Sequence, residues 1–220
     1  MHPSPFPAAG ATVTQLVRGP AGDIECLLAS PRRPSADAGC ALICHPHPLM
    51  GGAMSNKVVY TLAAAALDCG LETVRFNFRG VGASAGVHDH GNGETADTEF
   101  LAGWLREKLP GHRLVLAGFS FGAHVSLRAA AQVRPDMQIS IAPPLSGKYA
   151  ASGRPARPQA PWLVVHGRDD EVVSYDETVA ALSVYEPPPE LVALDGVGHF
   201  FHGRLTELRG IVRDFIGRHG

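Results

Sequence analysis

A chain of 220 residues with 45% hydrophobic and 18% charged side chains carries enough apolar material for one sizeable core and too much for a disordered chain. Its formal net charge is -2 and its arginines are scattered, which gives no electrostatic ground for expecting nucleic acid or an anionic membrane as partner. The start, Met1-His2-Pro3-Ser4-Pro5-Phe6-Pro7, has no basic segment leading into an apolar one, and no apolar run reaches membrane-spanning length, so neither a signal peptide nor a membrane helix is expected.

Residues 1–11, rich in Pro, Ala and Gly, are expected to form a loose tail on a single domain spanning 1–220. Thr12 to Arg18 and Asp23 to Ser30 are two predicted strands joined across Gly19-Pro20-Ala21-Gly22, as suits an antiparallel hairpin at a sheet edge. Cys40-Ala41-Leu42-Ile43-Cys44 is a continuous apolar run, the pattern of a strand covered on both faces. It ends in His45-Pro46-His47-Pro48-Leu49-Met50-Gly51-Gly52, and a helix is expected over 55–69 with Gly70 after its end. Glu72 to Phe78 is the next predicted strand. The glycine-rich loop 79–86 follows, then an amphipathic helix over 94–109 whose expected buried stripe is Phe100, Leu101, Trp104 and Leu105.

Leu114-Val115-Leu116-Ala117 is strand-like and runs through Gly118-Phe119-Ser120-Phe121-Gly122 into a helix-forming segment, 123–130. Beyond it come a strand over Met137 to Ala142, a proline-rich loop over 143–160, a strand over Pro161 to His166, a helix over 175–183, a strand over Glu190 to Leu194 and a closing helix over 203–218. Strands and helices thus alternate from residue 40 onward. The right-handed crossover rule then gives an α/β fold: a mostly parallel twisted sheet, helices on both faces, and an antiparallel hairpin at the N-terminal edge. The four cysteines, Cys26, Cys40, Cys44 and Cys69, fall in apolar patterns without CxxC spacing and suggest buried thiols in a reducing compartment, the cytoplasm.

The stretch 118–122 has the form G-x-S-x-G at a strand-to-helix junction, where small flanking residues let a sharp bend expose a serine above the free N–H groups of a helix. A serine hydroxyl needs a general base, and the base an orienting acid. In open α/β sheets such partners sit in loops after strands. Two such loops follow the later strands: His166-Gly167-Arg168-Asp169-Asp170-Glu171-Val172-Val173 and Asp195-Gly196-Val197-Gly198-His199-Phe200-Phe201. The order Ser120, Asp170, His199 places the acid before the histidine.

The elbow, the HGxxDxxV segment with His166, Gly167, Asp170 and Val173, and the GxGH segment with Gly196, Gly198 and His199 resemble the α/β-hydrolase superfamily. The stretches 45–52, 56–59 and 75–82 resemble small bacterial hydrolases of that superfamily without a lid, over about residue 12 to the end. The resemblance implies an α/β-hydrolase fold with no cap domain and makes Asp170, rather than Asp169, the triad acid, with His166 structural. His202 is expected to be exposed at the start of the last helix.

An acyl-transfer site also requires two fixed N–H donors for the carbonyl oxygen as it turns negative. One is expected from Phe121, the residue after the serine. The other belongs to the loop after Cys44, where Pro46 and Pro48 have no N–H and His47 or Leu49 remain. Alignment with the HGFP-type loops of related hydrolases implies His47, with Leu49 as the alternative. Phe119, Phe121, Met50, Leu145, Phe200 and Phe201 are candidates for an apolar wall.

The histidines, including His45, His47, His88 and His90, have no HExxH-like ligand spacing, so no metal is expected. The glycines of 80–86 are spaced GxGxxxG without a following helix, so no dinucleotide or other cofactor is expected. Arg79 and Arg168, in loops at the site edge, are expected to pair with nearby carboxylates. Taken together, these features predict a serine hydrolase acting on small-molecule esters or thioesters through an acyl-enzyme in an open site. The same triad would serve a thioesterase or a peptidase, and a non-catalytic scaffold of this fold is the reading from another class.

Overall fold

The computed structural model describes residues 5–147, 149 and 153–220. Eight strands form one sheet: β1 (Thr12–Gly19), β2 (Gly22–Ala29), β3 (Gly39–Cys44), β4 (Glu72–Phe76), β5 (Arg113–Phe119), β6 (Met137–Ile141), β7 (Trp162–Gly167) and β8 (Glu190–Leu194). Their spatial order is β1-β2-β4-β3-β5-β6-β7-β8. The β1–β2 and β2–β4 pairs are antiparallel; all others are parallel. The order therefore reverses between β3 and β5, the switch point at whose carboxyl edge such sheets open a crevice.

The helices are α1 (Lys57–Asp68), α2 (Asn92–Lys108), α3 (Phe121–Val133), α4 (Tyr175–Leu182) and α5 (Leu205–His219). Strand alternation sorts the core into two layers. Ala41 and Ile43 of β3, with Val115, Ala117 and Phe119 of β5, pack beneath α1 and α5, whereas Cys40, Leu42 and Cys44, with Leu114 and Leu116, pack beneath α2 and α3. A smaller cluster joins Leu127 of α3 and Leu182 of α4 through Trp162 and Val164 of β7. This is the α/β-hydrolase fold. Only residues 142–161 separate β6 from β7, too short a stretch for a cap domain of several helices.

Several expectations need correction. The segment 5–11 is not loose. Ser30 Oγ donates to the Pro7 carbonyl at 2.8 Å, the Gly10 N–H donates to the Ser30 carbonyl at 3.1 Å, and Phe6 packs against the core. Residues 1–4 of the expected tail lie outside the described residues, as do 148 and 150–152 of the expected loop over 143–160, where Gly147 and Tyr149 have helical geometry.

In α2 the buried face is Leu101 and Leu105 continued by Glu94, Asp97 and Thr98, while Phe100 and Trp104 are only half-buried. Hydrogen bonding carries those polar groups inside: Arg79 grips Asp97 with two bonds of 2.8 Å, and Thr98 donates to the Glu94 carbonyl. Helix α1 starts two residues later than expected because Asn56 caps it, accepting the N–H groups of Val58 and Val59. Cys26, Cys40 and Cys44 are buried, and burial pushes each thiol up to about 12, whereas Cys69 is half-buried at the end of α1; all four are free.

Candidate active site

Ser120 lies between β5 and α3 with φ 53° and ψ -123°, a conformation that costs a residue with a Cβ about 1–3 kcal/mol. Its surroundings leave no other path. A Cβ at position 118 would stand 2.3 Å from the Gly122 carbonyl oxygen, and one at 122 would stand 2.4 Å from those of Cys44 and His45. Both glycines of G-x-S-x-G are thus demanded by contact, and the bend lifts the Ser120 hydroxyl to the sheet edge, where it remains 8% exposed. Helix α3 begins at once: Ala123 and His124 donate their N–H groups to the Ser120 carbonyl, and Phe121 occupies the first helical position, where an N–H has no acceptor within the helix.

The loops after β7 and β8 deliver the other two groups. His199 Nε2 is 3.0 Å from Ser120 Oγ, and His199 Nδ1 is 2.7 Å from Asp170 Oδ2. Asp170 Oδ1 accepts the N–H groups of Val172 at 2.9 Å and Val173 at 2.7 Å. Burial works to raise the Asp170 carboxyl, but the His199 hydrogen bond and these two N–H donors outweigh it and hold the group below its ordinary value. An ionised Asp170 accepts the Nδ1 hydrogen, leaving Nε2 as the acceptor that faces the serine. Asp169 is exposed and meets the site only through its main chain, whose N–H donates to the Val197 carbonyl.

His166, buried under the acid, donates Nδ1–H to the Gly167 carbonyl at 2.9 Å and has Thr178 Oγ1 3.3 Å from Nε2; burial pushes its pKa down. It braces the strand end. His202 is exposed and stacks on Phe200. Arg168 pairs with Asp195 at 2.9 Å and lies over the Tyr175 ring. Neither Arg168 nor Arg79 lines the cleft.

Two supports were not visible in the sequence patterns. Glu171 Oε2 accepts the main-chain N–H of His199 at 3.2 Å, tying the β8 loop to the β7 loop. His45, fully buried, donates Nδ1–H to the Pro46 carbonyl at 2.6 Å and accepts the Phe78 N–H on Nε2 at 2.9 Å, joining the loop after β3 to the one after β4. Burial lowers its pKa to about 4. From His45 the chain turns through the short 3-10 turn Pro48–Met50, with the Met50 and Gly52 N–H groups both donating to the His47 carbonyl. Leu49 points outward, and its N–H donates to Nδ1 of His47 at 3.3 Å.

Ser120 and His199 open onto a cleft of about 750 Å³. Met50, Val172 and Phe200 give it exposed apolar surface, and Asn56, Ser146 and Glu177 give it polar points. Of the six residues expected to form an apolar wall, only Met50 and Phe200 do so; Phe119, Phe121, Leu145 and Phe201 are core residues. Among the described residues no group of three or more His, Cys, Asp or Glu is arranged to hold a metal ion, and no helix is long and apolar enough to cross a membrane.

A family model for the alpha/beta hydrolase fold matches residues 42–144. An uncharacterized protein of Rickettsia prowazekii is 33% identical over 208 residues, covering 90% of this chain and 86% of its own. An alpha-beta serine hydrolase homologue from Coxiella burnetii superposes with a TM-score of 0.86 at 42% identity, over 92% of this chain and 96% of that one. A serine hydrolase without a lid from Xanthomonas campestris superposes with a TM-score of 0.89 at 41% identity, over 97% and 96%. The chain belongs to the α/β-hydrolase family. Its place there is among the serine hydrolases, beside relatives that lack a lid.

Proposed function

We propose that this protein hydrolyses carboxylic esters through a Ser120-His199-Asp170 triad and an acyl-enzyme. The observation that carries the reading is the unbroken chain of hydrogen bonds, 2.7 Å from Asp170 to His199 and 3.0 Å from His199 to Ser120, at the floor of an open cleft. Ser120 Oγ attacks the ester carbonyl as His199 Nε2 takes its proton. Asp170 holds the imidazole in the required tautomer and stabilises the imidazolium. The negative oxygen of the tetrahedral adduct is received by the Phe121 N–H and, on the loop after β3, by that of His47. The Leu49 N–H is turned onto the His47 ring instead, which favours His47. Collapse expels the alcohol with the proton from His199, and water then repeats the sequence on the acyl-enzyme.

The substrate is a small acyl ester or thioester whose apolar body lies against Met50, Val172 and Phe200. The open cleft supports a small acyl group rather than a long one, which would need an enclosed apolar channel. An alkyl fluorophosphonate, which phosphonylates only an activated serine, should label Ser120 stoichiometrically, as read by peptide mass spectrometry. Folded protein that takes up no label would sink the proposal.

A further inference from the structure

Glu94 is wholly buried, and no step above uses it. In the first turn of α2 its carboxylate collects three donors. Oε2 accepts the Gly91 N–H at 2.9 Å; Oε1 accepts the Asp89 N–H at 3.0 Å and lies 2.8 Å from Nδ1 of His88. A carboxylate only accepts, so Nδ1 of His88 is the donor, and the bond fixes the plane of a ring that is itself only 8% exposed. That ring has two neighbours of note. The centroids of His88 and His47 are 4.9 Å apart, those of His88 and Phe121 are 5.6 Å apart, and those of His47 and Phe121 are 4.9 Å apart. His47 and Phe121 are the two residues whose main-chain N–H groups receive the oxyanion in the function proposed above, on which this inference rests.

We propose that the His88–Glu94 pair is a positioning device for the oxyanion hole: Glu94 fixes the His88 ring, and the ring sets the His47 and Phe121 main chains relative to each other. The two donors come from different elements, the loop after β3 and the start of α3, so no single hydrogen-bonded element fixes their separation. Main-chain donors act at full strength only when held within about 0.5 Å of their place. Phe121 is held by α3. His47 stands in a turn closed by the Met50 and Gly52 N–H groups on its carbonyl, and the Leu49 and Met50 side chains that follow are 70% and 84% exposed. The His47 ring packs against those of His88 and Phe121, each at a centroid distance of 4.9 Å.

Two variants separate the ring from the hydrogen bond. His88→Asn offers Glu94 an N–H donor without a ring; His88→Phe restores the ring without the donor. On a p-nitrophenyl ester, His88→Asn should lower kcat about tenfold, part of what losing a whole oxyanion donor does, with KM changed less than about twofold. Its affinity for a trifluoromethyl ketone, whose adduct with Ser120 carries the oxyanion, should fall in the same proportion, and His88→Phe, which returns the ring without the bond that fixes its plane, should recover only part of both. Backbone order parameters from nuclear magnetic resonance should drop at His47 and Phe121 in His88→Asn and hold at Val172 and Val173. Unchanged kcat and unchanged order parameters, or a loss of kcat, KM and melting temperature together in both variants, would overturn the inference. If the wild type neither turns over esters nor binds the ketone, the ester reading fails on its own, and the order parameters still decide whether His88 sets the two main chains.

Discussion

On the side of β7 and β8 the groups of the site are held by a carboxylate chain: Asp170 is fixed by two N–H donors and by His199, and Glu171 holds the His199 main chain. On the side of β3 and β4 the main chain is held by histidines. His45 bridges two loops with both ring nitrogens, and His88 lies behind His47 and Phe121. On the function proposed above, the difference follows from what each side would have to present. A proton relay needs side chains in defined protonation states, and a neighbouring negative charge sets those states. An oxyanion hole needs backbone amides at fixed positions, and rigid rings with two polar ends are suited to bracing backbone. Charge at the acid side and shape at the oxyanion side are therefore separable in experiment.

The largest expected effect is on the acid side. Asp170→Asn keeps the size of the side chain but presents an amide where His199 Nδ1–H needs an acceptor, which favours the wrong tautomer; kcat should fall by about 10⁴-fold. Asp169→Asn, exposed and engaged only through its main chain, should stay within about threefold of wild type. Steady-state kinetics of the two variants checks the assignment, and the opposite pattern would move the acid to Asp169.

A smaller effect separates the buried histidines from Asp170 by pH. His45 and His124 are buried with pKa values lowered to about 4, and His166 is lowered in the same direction, in each case mainly by burial. Between about pH 6.5 and 4 the unfolded chain therefore binds more protons at these positions than the folded one. Stability should be full above about 6.5 and decline as the pH falls toward 4, by up to ~3 kcal/mol for each of His45 and His124. Asp170 has the lowered pKa of a stabilised carboxylate, so its contribution persists above the ordinary carboxyl value and is lost only below it. Urea midpoints measured from pH 7 to 4 should thus show the buried histidines before Asp170, and His45→Gln should flatten part of that decline. An unchanged curve in the variant would mean that His45 is not the neutral brace described here.

The elements that the sequence revealed most fully are those whose geometry is local. G-x-S-x-G announces a bend because its glycines are forced by contacts within five residues and with the adjacent strand. Alternating strands and helices give the parallel sheet through a chirality rule rather than through any distant contact. His45 was missed as a brace because its partner, Phe78, is 33 residues away, and nothing in a local pattern distinguishes a bracing histidine from a surface one. Glu94 and Asp97 were hidden for a related reason. Apolar periodicity assigns the core face of α2 to Phe100 and Trp104, whereas Arg79 and two main-chain N–H groups, reached only in the folded chain, allow carboxylates to occupy that face. The N-terminal segment appeared loose from composition because the Ser30 bonds that pin it come from the far end of β2.

The most direct test of the central claim is hydrolysis of a chain-length series of p-nitrophenyl esters by wild-type and Ser120→Ala protein, each with and without a chelator. The account predicts turnover by the wild type that favours short acyl groups, is indifferent to the chelator and disappears in Ser120→Ala. Equal turnover by Ser120→Ala, or turnover that the chelator abolishes, would contradict it.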